Sequence, residues 1–382
     1  MQKTRKTYYA NGTDIGDAII HRGIYYLNGA EATAQDWDNM PSDWSDIRKD
    51  CPKNSIALYA GHKADYSQYD NLGFTATCVG GYKVYIDGNV YGSYSSGSTC
   101  TITWSSLALT TGDDITTPSA LKAHKIWIEP ATSGNNITDF TGARVASGSG
   151  YEDQGILWVH FNIGTSIHFS FGAANNYRNR LIEAITSKNN KINVNSLSLS
   201  CHYCSALTYT PVFVGPQTAI NCYNSFSYCV KLQKLNFKNI KATTVANIFY
   251  YCPALLEFPK IDFSATTAAN GFANDTKSLK DTIVDMSSAI GMRKIGITGD
   301  TNNFVSGLKG LRVSNQAPFT LGAPQIDVSY TGIDRTALVN LFNYLPTVSG
   351  GQIINIVGCT GTAGLTADDE AIATAKGWTI TK

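Results

Sequence analysis

The chain has 382 residues, of which 15% are charged, and its formal net charge is +1. That balance excludes the basic footprint of a nucleic-acid binder, and no apolar run approaches the length needed to span a bilayer. The length predicts two or three folded units, and 34 Gly and 21 Tyr point to a β- and turn-rich chain rather than a helical one.

Residues 1–53 carry basic charges at their start but no continuous apolar stretch of the kind a secretory leader needs, so the chain reads as folded in the cytosol where it is made. Around DWDNMPSDW, with Trp37 and Trp44, this segment reads as an N-terminal arm for docking on a partner. From 54 to 175 the runs SIALYAG, GFTATCVG, YKVYIDG, STCTITWSS and HKIWIEP alternate apolar and polar residues between turn signals. Asp87-Gly88, set between two aromatic-rich runs, is a strong hairpin signal. The spacing predicts an antiparallel β-sandwich, completed by the strand pair GILWVHFNI and SIHFSFG. Residues 177–187, YRNRLIEAITS, have helical spacing and lie within a predicted helical connector over 176–191.

From 192 to 382 the sequence repeats. NSFSYCVKL (224–232), NIFYYCPAL (247–255) and NGFANDTKSL (270–279) place Asn224, Asn247 and Asn270 23 residues apart, and a looser copy ends in CHYCSAL (201–207). Between these copies lie short alternating segments such as KLNFK, TIVDM, QIDVS and WTIT. One short strand per turn of about two dozen residues predicts a solenoid, in which no coil can bury its apolar edge alone. Phe226, Cys229 and Leu232, then Phe249, Cys252 and Leu255, and then Phe272 are the expected inward-facing residues, with the cysteine as a small apolar filler at a tight bend. In the third copy Asp275 stands where the 23-residue spacing would put cysteine. Near the end, Asp334 before RTALVNLFNYL and Thr366 followed three residues later by Asp369 predict two capped helices, and WTIT a last strand. The fold class expected is mostly β and multidomain, with a helix-strand cap closing the stack.

Asn-x-Phe-x-x-Cys-x-x-Leu resembles the BspA-like, or treponemal-type, leucine-rich repeat of bacterial surface proteins and some phage virion proteins. The stretches CPKNSIALYAG, DNLGFTATCVGGYKVYIDG and TTGDDITTPSALKAHKIWIEPA are similar to N-terminal modules of virion proteins from phages of gut Bacteroidetes. These resemblances imply a virion-surface protein assembled in the host cytoplasm. Its N-terminal region would contact other virion proteins, and its solenoid would meet a host-surface glycan or protein. Homo-oligomerisation, and a tail or head location, stay open. A bacterial adhesin with the same repeats and a tail-associated glycan hydrolase are the alternatives.

Catalytic chemistry finds no convergent pattern in the sequence. CHYC supplies half of a zinc site, but two further ligands at usual spacing are lacking, and Cys204 is accounted for by the repeat. The acid pairs Asp113-Asp114, Glu152-Asp153 and Asp368-Asp369 sit in turn or helix-start contexts, and six histidines are scattered, with His160 and His168 on neighbouring strand patterns. No cofactor, metal or catalytic residue is therefore expected. The nine cysteines are an odd number and read as reduced, buried thiols. Tyr203, Tyr228 and Tyr251 each precede a repeat cysteine, so successive coils would bring them into line. Such a row serves either as packing on the solenoid flank or as an aromatic strip for glycan or protein contact.

Overall fold

The computed structural model describes residues 18–21, 24–27, 30–31, 51–63, 71–107, 113–114, 121–142, 154–171, 182 and 184–382. Most of the expected N-terminal arm, including Trp37 and Trp44, lies outside these residues. Among the described residues the chain is mostly β, with two α-helices and a β-solenoid of about eight turns running from residue 139 to the C-terminus.

Besides a small antiparallel sheet of Ala18–His21, Ile24–Leu27 and Ala30–Glu31, the N-terminal half contributes two main sheets. In the larger, Ser55–Lys63 pairs antiparallel with both Leu121–Pro130 and Gln154–Asn162, and the hairpin Tyr82–Ile86/Asn89–Tyr94 extends one side. Asp87 and Gly88, at φ 50° and 85°, make the turn that their sequence predicts. The smaller sheet runs His168–Ser170, Ile137–Thr141, Asn71–Cys78, Thr99–Thr103. Its rings Phe140, Phe169 and Phe171 are fully buried, with Phe140 and Phe169 5.9 Å and 5.5 Å from Phe171. In the larger sheet every residue from Ile56 to Ala60 is fully buried. An open antiparallel face alternates exposed and buried residues, so this strand is covered on both sides, as its almost unbroken apolar run allows.

Two expectations are corrected here. GILWVHFNI and SIHFSFG do not pair with each other: Gln154–Asn162 belongs to the larger sheet and His168–Ser170 to the smaller. Residues 184–187, expected in a helical connector, form the strand Ala184–Ser187, parallel to Gln154–Asn162. Ala184, Ile185 and Thr186 are all buried, and pairing with a distant strand outweighs a local helical pattern. Residues 177–181 of that connector lie outside the described residues.

Ile137–Thr141 links the two halves. One of its edges is antiparallel to Asn71–Cys78 and the other is parallel to His168–Ser170, so the parallel stacking begins well upstream of residue 192. One rim of the stack carries Lys191–Asn193, Val212–Val214 and Phe237–Lys238, and later Thr282–Met286 paired with Leu308–Val313. A second rim carries Ile220–Asn221 with Ala242–Thr244, then Ile295–Gly296, Ile326–Asp327, Gln352–Asn355 and Trp378–Thr381. Between the rims runs a spine of phenyl rings in which Phe226 lies 5.8 Å from Phe213 and 6.3 Å from Phe249, and Phe249 lies 5.6 Å from Phe272.

The helix Arg335–Tyr344 packs against Leu308–Val313, where a further strand of the first rim would otherwise lie. Asp334 caps it by accepting from the Ala337 N–H at 2.8 Å, and Lys376 Nζ donates to the carbonyls of Phe342, Asn343 and Leu345 at its other end. The helix Ala367–Thr374 starts with the capping box of Thr366 and Asp369. Asp369 also takes a bidentate grip from Arg335, at 2.8 Å and 3.0 Å, which ties the two helices together. No helix of the described residues is long and apolar enough to cross a membrane.

Candidate functional site

The repeated bend can be followed through the ladder of backbone hydrogen bonds. The N–H groups of Tyr203, Tyr228, Tyr251 and Asp275 donate to Ser227, Tyr250, Asn274 and Thr298, each at 2.8 Å, so these four residues hold one position in successive turns. Gly299, Tyr330 and Gly358 continue the series. The third copy is thus one residue longer than the 23-residue spacing implies. Asp275 occupies the tyrosine position, and Thr276 takes that of cysteine.

All of these residues except Gly299 have left-handed backbone: φ is 63° at Tyr203, 62° at Tyr228, 54° at Tyr251, 60° at Asp275, 54° at Tyr330 and 67° at Gly358. Glycine adopts that conformation freely, whereas a bulky L-residue pays roughly 1–2 kcal/mol. Gly358 also has a steric reason, since a Cβ there would stand 2.6 Å from the Tyr330 ring. The tyrosines therefore occupy positions that backbone preference alone would give to glycine, and a side-chain gain must offset the strain.

The structure brings the three sequence-predicted tyrosines together. Tyr203 and Tyr228 stack at 4.2 Å with ring planes 7° apart, His202 stacks on Tyr203 at 4.3 Å, and Tyr251 lies tilted 5.4 Å from Tyr228. Tyr250, which sequence reasoning missed, sits 5.4 Å from Tyr228. Tyr203 and Tyr228 are half-buried, while Tyr251 is exposed. Burial, reinforced by the neighbouring phenols, pushes the Tyr228 pKa up to about 12, so its hydroxyl keeps its proton at neutral pH. Because the rings lie face to face, the middle of the row offers ring edges rather than open faces. Aromatic stacks of this kind contribute about 0.5–1.5 kcal/mol per pair, comparable with the strain they offset.

Phe226, Leu232, Phe249, Leu255 and Phe272 line the interior with Cys229 and Cys252, each no more than 1% exposed. The cysteines do more than fill space. Cys229 Sγ donates to the Cys201 carbonyl, Cys252 Sγ to that of Phe226 and Cys359 Sγ to that of Val328, each at 3.0 Å. Thr276 and Thr331 hold the same place and donate to the carbonyls of Ala273 and Val328 at 2.9 Å and 2.7 Å. In these turns the position takes a compact donor, which corrects the reading of the cysteine as an apolar filler, whereas the exposed Asp300 follows Gly299 in the turn between Thr276 and Thr331. Burial keeps the donors protonated: the Cys252 thiol is pushed up to about 12 and that of Cys229 well above its ordinary range. Threonine and valine have nearly the same shape and differ in the hydroxyl. Cys252→Thr is therefore expected to be more stable than Cys252→Val by about 1 kcal/mol in urea unfolding, and equal stabilities would restore the filler reading.

Residues weighed for catalysis are dispersed. His124 Nδ1 lies 2.6 Å from Asp87 Oδ2 with its ring stacked on Trp104, and His160 Nδ1 lies 2.9 Å from Thr186 Oγ1. His168 joins three successive turns, with Nδ1 2.6 Å from Asp139 Oδ2 and Nε2 3.3 Å from the Ser198 carbonyl. The hydrogen bond to Asp139 holds the His168 pKa above its ordinary value. Both ring nitrogens face acceptors, which only the imidazolium satisfies fully. Asp369 is engaged by Arg335, Asp113-Asp114 form a short strand, and Glu152-Asp153 lie outside the described residues. Cys201 and Cys204 are fully buried. Among the described residues no three His, Cys, Asp or Glu side chains are grouped so as to hold a metal ion. No protein-family model, curated protein or solved structure matches the chain.

Proposed function

We propose that the chain is a recognition protein, whose solenoid displays the tyrosine row to a host-surface glycan or protein and whose N-terminal region holds it on a larger particle. The observation that carries this reading is the recurrence of tyrosine at left-handed positions, where the chain accepts strain to keep phenols aligned on one flank. A rigid row of tyrosine ring edges suits partners met through many contacts, and tyrosine loses little entropy in making them. The repeat motif's resemblance to BspA-like leucine-rich repeats favours a surface-contacting role. The resemblance of the N-terminal stretches to phage virion modules favours a virion as the particle. On this reading the two main N-terminal sheets form a β-sandwich used for attachment, contact amplification comes from copy number, and no catalysis is involved.

The test replaces Tyr203, Tyr228 and Tyr251 together by glycine, which takes the left-handed backbone without strain, and measures binding of the labelled chain to a panel of gut Bacteroidetes cells alongside thermal unfolding. Saturable binding that falls at least ten-fold in the triple variant, with folding retained, is the expected result. Undiminished binding would leave the row as packing alone, and absence of binding to every strain would remove the recognition reading.

A further inference from the structure

Along the first rim the parallel sheet is interrupted. It stops at Phe237–Lys238 and resumes at Thr282–Met286. The backbone of the intervening turn is tied to its neighbours at its ends. Leu256 N–H donates to Gln233 and its carbonyl accepts from Lys280, while Asp262 N–H donates to Ile240 and its carbonyl accepts from Ala242. Pro259, midway, has no N–H to offer a ladder. Residues 258–261 therefore stand out of the sheet. Thr282–Met286 pairs on one edge with Leu308–Val313, and its other edge pairs with no strand among the described residues. A parallel strand turns alternate N–H and C=O groups toward each edge, so this one offers a row of donors and acceptors.

Beside that edge lies a groove of about 390 Å³. Its floor is aromatic, with Phe272 5.0 Å from Phe258 and 6.0 Å from Phe263, and its wall is Ile283, which is 57% exposed. A second groove, lined by Lys238, Lys260 and Asp262, opens on the far side of the protruding turn. The carboxylates at these rims are already engaged: Asp285 lies 3.6 Å from Arg312, and Asp262 accepts from the Ser264 N–H and sits in the field of Lys241. Lys238 and Lys260 are exposed and make no ion pair among the described residues. The grooves are thus apolar beneath and carry uncompensated positive charge above.

We propose that this break in the rim takes an extended acidic and apolar peptide segment of a partner protein. The segment adds as a strand to the open edge of Thr282–Met286 and seats an apolar side chain on the rings of Phe258, Phe263 and Phe272. Its carboxylates lie against Lys260 and Lys238. Strand addition lets backbone hydrogen bonds supply affinity, while alternate side chains reach the floor and the rim. The proposal deepens the recognition reading by naming a second partner class, and it uses a face distinct from the tyrosine row.

Selection from a random-peptide library displayed against the full chain tests it. Enriched peptides should alternate apolar residues with Asp or Glu. A synthetic copy should bind saturably, and lose at least ten-fold in affinity to Lys260→Glu, to Ile283→Asp, and when proline replaces its central residue. Both substituted residues are exposed, and thermal unfolding checks that the variants fold. Failure to enrich any peptide, or equal binding of the selected peptides to both variants, overturns the proposal. Self-association of the chain that Ile283→Asp abolishes would assign the edge to a second copy and overturn it as well. The triple tyrosine-to-glycine variant should bind the selected peptide normally, so failure here and failure of the host-cell test are separable.

Discussion

Gly307→Ala is expected to destabilise the protein by more than about 4 kcal/mol, a loss at the extreme for single substitutions. A Cβ at this position would stand 1.6 Å from the Leu279 carbonyl oxygen and 2.3 Å from its carbon. The obstacle is backbone of the preceding turn, so no side-chain rotation relieves it. The two turns would have to separate, breaking the 2.7 Å bond from the Thr282 N–H to the Gly307 carbonyl and with it the start of the pairing between Thr282–Met286 and Leu308–Val313. Gly164→Ala is the control, because a Cβ there meets nothing within 4 Å. It should fall within about 0.5 kcal/mol of the wild type. Urea unfolding followed by circular dichroism compares them, and similar midpoints for the two variants would show that the turns are not packed as described.

Phe226→Ala should cost about 3–5 kcal/mol, the usual range for emptying a buried phenylalanine site. The ring is fully buried and lies 5.8 Å from Phe213, 6.0 Å from Phe237 and 6.3 Å from Phe249, so it belongs to the interiors of three consecutive turns. In a stack stabilised by nearest neighbours, the loss should spread to both flanking turns and split a single unfolding transition into two. Phe304, 36% exposed, offers the contrast, and its replacement by alanine should shift stability by no more than about 0.5 kcal/mol. Denaturation monitored by tyrosine and tryptophan emission would read both. A cost below about 1 kcal/mol at Phe226 would contradict a continuous interior.

Features set by neighbours in sequence were legible before the structure. Asp87-Gly88 marks a turn because both residues tolerate positive φ, and Asp334, Thr366 and Asp369 mark helix starts because their side chains reach their own first-turn N–H groups. Features set by distant partners were not. Ala184–Ser187 reads as helix until its pairing with Gln154–Asn162 is known, and the extra residue that puts Thr276 in the cysteine position shows only once the ladder is traced. Of the candidate site, the alignment of Tyr203, Tyr228 and Tyr251 follows from their place before the cysteines. The covering of each ring by the next depends on side-chain torsions that no spacing encodes. The thiol hydrogen bonds were hidden for a similar reason, since their acceptors lie in other turns.

All nine cysteines are free and buried, and Cys204, Cys229, Cys252 and Cys359 sit in four different turns. An alkylating reagent therefore meets each sulfur only when its own layer parts. The order in which Cys204, Cys229, Cys252 and Cys359 are modified over time amounts to an internal clock, timing the breathing of the molecule layer by layer without any added label.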